Sequence, residues 1–143
     1  MEKKNRPLQA ANQEADAPDI TPAVRHTQPA KRTPKKHRAR VYMLSSGIEG
    51  FTENDILRYC RLSSGRNYVS EIERELDIRL ERIDEKNPDG IGSHYRYRFT
   101  GRADVLRVIS LMKYAAIAGG YIGLSGSETA AILSLYPDNL DAA

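Results

Sequence analysis

Between residues 67 and 99 the apolar residues change their spacing, and that change restricts the fold more than any other feature of the chain. Tyr68, Val69, Ile72 and Leu76 recur at helical intervals. At about 100° per residue they share one arc of a helix over residues 68–76, with Asn67 as its N-cap. From Ile78 the period drops to two: Ile78, Leu80 and Arg82 alternate with Arg79, Glu81 and Ile83, as in a strand. Asn87-Pro88-Asp89-Gly90 supplies turn chemistry, with Pro presetting φ and Gly accepting positive φ. The return strand, residues 94–99, sets Tyr95, Tyr97 and Phe99 on one face and His94, Arg96 and Arg98 on the other. Upstream, Thr52 and Asp55 have the spacing of a capping pair for a helix over residues 53–62. Ile56, Leu57 and Cys60 form its apolar face, and Ser63-Ser64-Gly65 ends it.

Residues 102–118 predict the longest helix. Val105, Leu106, Val108, Ile109, Leu111, Met112, Tyr114 and Ile117 surround most of its circumference, leaving Arg107, Ser110 and Lys113 as a narrow polar stripe. Such a helix must be covered on more than one side. The second cover is either a short helix over residues 129–136, capped by Ser127 or Glu128, or another subunit. A homodimer is expected, and the two are compatible. Gly119-Gly120 ends the long helix. The run Val41-Tyr42-Met43-Leu44 fits either a strand or the start of the folded part.

Charge is divided along the chain. Residues 1–40 carry ten Lys/Arg against four Asp/Glu, a net +6, and the remainder carries twelve against fifteen, a net −3. Five of the seven prolines also lie in residues 1–40, with almost no periodic apolar residues, so this segment is expected to be a disordered basic arm. Its closing cluster, Lys31, Arg32, Lys35, Lys36, Arg38 and Arg40, either neutralises phosphates or solubilises a leader. The expected organisation is an arm over 1–40, a helix-turn-helix with a hairpin over 41–101, and C-terminal helices over 102–143 that pack or dimerise.

Several function classes find no support. One cysteine, Cys60, permits no intrachain disulfide and reads as a small core residue. No apolar run approaches the roughly 18 residues of a membrane span, and the basic N-terminus lacks the apolar segment of a secretory signal. A cytoplasmic chain is expected. No glycine-rich phosphate loop, zinc spacing or nucleophile–base constellation is present, so no catalytic residue, metal, cofactor or small-molecule substrate is expected. His94 is no metal-ligand candidate, because His26 and His37 fall in the arm.

What remains is a candidate nucleic-acid surface. On the second helix, Asn67, Ser70 and Arg74 lie at i, i+3 and i+7, opposite the apolar arc. All three residue types read base edges or hold phosphates in a major groove. Arg66 precedes them. Glu71, Glu73 and Glu75 flank the stripe and argue against phosphate contact, so an ordinary solvated helix face is the competing reading. On the hairpin, His94, Arg96 and Arg98, with Arg79 from the other strand, either face phosphate or make cross-strand ion pairs.

Residues 53–59 as a first helix, 64–76 as a recognition helix, and 78–83 with 94–98 as a wing resemble the small winged helix-turn-helix proteins of bacteriophages, prophages and mobile elements. The resemblance covers about a third of the chain and rests on an arrangement of elements. It implies a mainly α fold with a small β-hairpin, and a non-enzymatic, sequence-specific binder of double-stranded DNA. Such a protein would serve as a transcriptional regulator or an excision-type accessory factor. A usual winged helix has three helices before the wing. Here only residues 63–66 separate the two clear helices, so the middle one is reduced to a turn, or residues 41–50 supply an element ahead. The alternative function is a protein–protein adaptor that uses the apolar long helix.

Overall fold

The computed structural model describes residues 31–137, which form one unit beginning at Lys31. Five α-helices and a three-stranded antiparallel sheet follow one another in the order α1 (Lys35–Ser45), β1 (Phe51–Thr52), α2 (Glu53–Cys60), α3 (Gly65–Leu76), β2 (Glu81–Lys86), β3 (Ser93–Arg98), α4 (Arg102–Gly119) and α5 (Gly126–Leu133). A single 3-10 turn, Gly47–Glu49, joins α1 to β1. The mainly helical reading with a small hairpin holds. Residues 1–30 of the expected arm lie outside the described residues.

The largest correction concerns the N-terminal boundary. The segment 35–40, read as part of a disordered arm, is the first half of α1. His37, Ala39, Arg40, Met43 and Leu44 are buried along it, so the undecided run 41–44 is helical as well. Its buried stripe mixes an imidazole and a guanidinium with apolar residues, which hides the helical period from a hydropathy reading. Ala39, Met43 and Leu44 then enter the same core as Phe51, Ile56, Val69, Ile72, Leu80, Phe99, Val105, Met112 and Tyr136. The C-terminal helices share this core, so residues 102–137 pack against the helices and sheet that precede them.

Thr52 and Asp55 make the capping box expected of them: Asp55 N–H donates to Thr52 Oγ1 at 3.0 Å and Thr52 N–H to Asp55 Oδ2 at 2.9 Å. Thr52 is also the last residue of β1, so the sheet hands the chain directly to α2. The helix is shorter than expected and ends at Cys60, with Arg61 in the left-handed region. Cys60 is buried as a core residue, and burial pushes its thiol up against the opposing pull of Arg38. The next helix begins at Gly65, two residues ahead of the predicted cap, so Asn67 sits inside its first turn. A Cβ on Gly65 would lie 3.0 Å from Ile56 Cδ1 and 3.2 Å from Glu53 Cγ, so close packing of α2 on α3 requires glycine there.

The sheet order is β1-β3-β2. Phe51 and Thr52 pair with Tyr97 and Arg96, and residues 81–86 pair with 98–93. Gly50, at φ +81°, brings the backbone onto β3 so closely that a Cβ would collide with the Tyr97 carbonyl oxygen. At the hairpin tip Gly90 N–H donates to Asn87 O at 2.9 Å, closing the predicted turn. β2 begins at Glu81; residues 78–80, expected as strand, are a connection tied to α3 by Ile78 N–H to Glu73 O. The sheet's inner face carries Phe51, stacked on Tyr97 at 5.7 Å, while Tyr95 on the same side stays exposed.

α4 ends at Gly120 in the left-handed region, beside Lys31, whose N–H donates to Gly120 O at 3.0 Å. α5 starts earlier than predicted: Ser125 is its cap, in a capping box with Glu128, in place of Ser127. Ile132 and Tyr136 bring this end of the chain into the core. The Tyr136 hydroxyl donates to Leu44 O at 2.7 Å, and burial pushes its pKa up to about 12. Leu106, Tyr114 and Ile117 on α4 remain exposed. Among the described residues no helix is long and apolar enough to cross a membrane, and no group of three or more His, Cys, Asp or Glu is placed to hold a metal ion.

Candidate nucleic-acid interface

α3 presents three different sides. Val69 and Ile72 are buried, and Tyr68 and Leu76 pack half-buried beside them. Arg66, Asn67, Ser70 and Arg74 are exposed, as the spacing predicts. Between these two sides lie the glutamates, and each has a cationic neighbour. Glu71 accepts from Lys36 Nζ at 2.7 Å. Arg40 Nη2 lies 3.7 Å from Glu71 and 3.9 Å from Glu75. Those two separations are ion contacts without a hydrogen bond: Arg40 is 4 % exposed, and neither its Nε nor its Nη2 has a hydrogen-bond partner.

Glu73 turns the other way, toward the hairpin. It takes a bidentate pair from Arg82, at 2.8 and 2.9 Å, and a third hydrogen bond from Leu80 N–H at 2.8 Å. Burial pushes the Glu73 carboxyl up, but the Arg82 hydrogen bonds, the Leu80 N–H and the Arg82 charge outweigh it and hold the group below the usual carboxylate range. Arg82 also lies over the Tyr97 ring, 5.1 Å from its centroid. This clamp fixes the hairpin relative to α3. Arg66 and Arg74, by contrast, make no ion pair among the described residues.

The turn that aims α3 is constrained. Arg61 (φ 59°) and Ser64 (φ 60°) both occupy the left-handed region, and Leu62 between them is buried. Non-glycine residues enter that region at a cost, so tertiary packing must hold them there. Arg58, Arg61, Arg66 and Arg74 are thereby exposed on α2, the turn and α3. Arg58 and Arg61 were not among the predicted residues. Their signal was available as two unneutralised cations flanking a helix end.

The hairpin differs. His94, Arg96 and Arg98 share one face, as expected, but that face also carries Glu81 and Glu85. Arg98 Nε donates to Glu81 at 2.6 Å, and Arg96 Nε to Glu85 at 2.6 Å, with Asp55 at 3.8 Å from Arg96 Nη1. His94 has Asn87 Oδ1 at 2.7 Å from Nδ1 and Glu85 Oε1 at 3.2 Å from Nε2. The Arg96 hydrogen bond holds the Glu85 carboxyl below its usual range. Cross-strand ion pairing, the competing reading for these cations, is therefore what forms. Arg79 precedes β2 and is exposed, so it is not part of the hairpin face.

The basic cluster of the expected arm is likewise dispersed. Lys36 and Arg40 serve α3, and Arg38 Nη1 donates to Cys60 O at 3.0 Å. His37, assigned to the arm, is buried with its ring edge against Tyr121. Lys31, Arg32 and Lys35 remain exposed. A groove of about 670 Å³ opens between the start of α2, the first turn of α3 and the hairpin, with Asn54, Arg66, Lys86, His94 and Tyr95 among its walls.

Comparison with curated proteins and with solved structures finds no match. A family model does match, over residues 26–143, which include every helix and strand described above and all of the chain beyond the first 25 residues. Its description is that of the uncharacterised protein PM1773, and the chain belongs to that family.

Proposed function

We propose that this chain is a non-enzymatic, sequence-specific double-stranded DNA-binding protein of winged-helix type, reading its site with the outer face of α3. The observation that carries the reading is the sorting of charge on that helix. Arg66, Asn67, Ser70 and Arg74 are exposed, and all three glutamates that would repel phosphate have cationic neighbours on the flanks. The winged-helix assignment is supported by the helix count. With α1 included, three helices precede the hairpin, the usual number in that group.

In this reading Asn67, Ser70 and Arg74 approach base edges, and Arg66 with Arg58 and Arg61 holds phosphates on either side. The hairpin contributes shape more than charge. A regulator or excision-type factor of phage or mobile-element kind fits such a module. A second reading, a protein–protein adaptor or homodimer built on α4, draws on the exposed Leu106, Tyr114 and Ile117.

Selection of bound sequences from a random duplex pool tests the proposal, followed by gel-shift titration of the recovered site at two salt concentrations. The expected result is a defined site whose affinity falls steeply with salt. An empty selection, or association that is insensitive to salt, overturns DNA binding in favour of the adaptor.

A further inference from the structure

A second cleft, of about 680 Å³, lies away from the α3 face, between α1, α2 and the segment that joins α4 to α5. Its aromatic wall is Tyr42 and Tyr59, whose rings lie near-parallel, 22° apart with centroids at 5.8 Å. Ile122 also lines it. Tyr59 is 63 % exposed and Ile122 75 %, so two large apolar side chains of one concavity are open to water. Scattered exposed apolar residues need no explanation, but a concavity that gathers them does.

Three polar groups converge on the same volume. Arg38 and Glu128 bring opposite charges to it. Arg38 spends one nitrogen on the Cys60 carbonyl, and Glu128 spends Oε1 on the Ser125 N–H of its own capping box. His37 also lines the cleft; it is 7 % exposed, and its Nδ1 has no hydrogen-bond partner among the described residues. A buried polar atom left unpaired costs free energy that a water or ligand can recover.

We infer that this cleft binds a small planar aromatic molecule carrying both an ammonium and a carboxylate, an aromatic amino acid or its close analogue. The ring stacks against Tyr59 and contacts Ile122. The ammonium pairs with Glu128 and the carboxylate with Arg38. Burial lowers the His37 pKa and raises those of Tyr42 and Cys60, so these three lining groups favour their neutral forms and leave the charges of the cleft to Arg38 and Glu128. An occupant touches α1, α2 and the α4–α5 connection at once, and needs nothing from the α3 face.

The chain contains no tryptophan, so indole emission excited selectively reports the probe alone. The full-length protein is titrated into L-tryptophan, tryptamine and indole-3-acetate in turn. L-tryptophan is expected to bind most tightly, with saturable, blue-shifted emission. Tyr59→Ala weakens it roughly tenfold, while Tyr59→Phe retains it. Glu128→Gln keeps the capping box, since glutamine caps at the same position. It weakens L-tryptophan and tryptamine but spares indole-3-acetate; Arg38→Gln weakens L-tryptophan and indole-3-acetate but spares tryptamine. Thermal melts matching the parent exclude unfolding as the cause. Absence of saturation with all three probes at millimolar concentration overturns the site. Equal binding by the Tyr59→Ala variant does the same, and charge variants that leave all three probes unchanged overturn the headgroup assignment. None of these outcomes bears on DNA binding.

Discussion

The outer face of α3 and the charged face of the hairpin have similar inventories: arginines, glutamates and a few neutral polar residues within a short stretch. They end in opposite electrostatic states. On α3 the helical period separates the signs, because Glu71, Glu73 and Glu75 fall on the flanks of the stripe formed by Asn67, Ser70 and Arg74. On the hairpin the strand register brings the signs together, because Glu81 stands opposite Arg98 and Glu85 opposite His94, one diagonal from Arg96. Equal composition thus yields one face with free guanidinium groups and one that is internally neutralised. What a cation can do for a partner depends on where the fold has put the nearest carboxylate.

The strongest way to break this contrast is to remove its hinge. Glu73→Ala deletes three hydrogen bonds at once, leaving Arg82 without its carboxylate and the Leu80 N–H without its acceptor, so stability should fall by about 3 kcal/mol in denaturant titration. The same group carries a pH signature. Its folded-state pKa lies below the unfolded value, so its contribution is present above the usual carboxylate range and is lost as pH falls through the folded pKa. The thermal midpoint should therefore decline as pH falls below the ordinary glutamate range, and Glu73→Gln should flatten that decline. A mutant melt with the parental slope would remove Glu73 from its assigned role.

Next in size is the free side of the comparison. Arg74→Ala should cost about 2 kcal/mol on the preferred duplex and relax selection at one base pair, as read by gel shift on single-substitution sites. Retention of full selectivity would move the reading face off α3. The paired side can be sharpened by unmasking it. Glu81→Gln with Glu85→Gln frees Arg98 and Arg96, so affinity for all duplexes should rise and the salt slope should steepen by about one unit per phosphate newly contacted. The smallest effect is expected from Arg98→Ala, below about 0.5 kcal/mol on any duplex, because that guanidinium is already held by Glu81. A loss as large as that of Arg74→Ala would show that the hairpin pairs open on binding.

Much of this was legible in the residues. The capping pair Thr52/Asp55, the apolar arc of α3, the exposed stripe opposite it and the tip at Asn87–Gly90 all follow from local chemistry that acts within a few residues. Element ends were less legible, since Gly65 starts α3 for a reason of packing against Ile56 and Glu53. The first helix was hidden. Its buried residues include His37 and Arg40, which hydropathy assigns to solvent, and its basic run has the composition of an arm. Only the carboxylates of α3, more than thirty residues away in sequence, make Lys36 and Arg40 part of a folded surface.

The sequence by itself determined the helical period of α3, the Thr52/Asp55 cap and the hairpin turn, because each depends on neighbours within one or two turns of chain. Tertiary structure alone decided which charges are free. An ion pair forms between groups a few ångströms apart whatever their separation along the chain, and Coulomb attraction at that range cancels a cation that composition counts as available. Residue counts gave both faces the same promise, and long-range packing assigned the free arginines to α3.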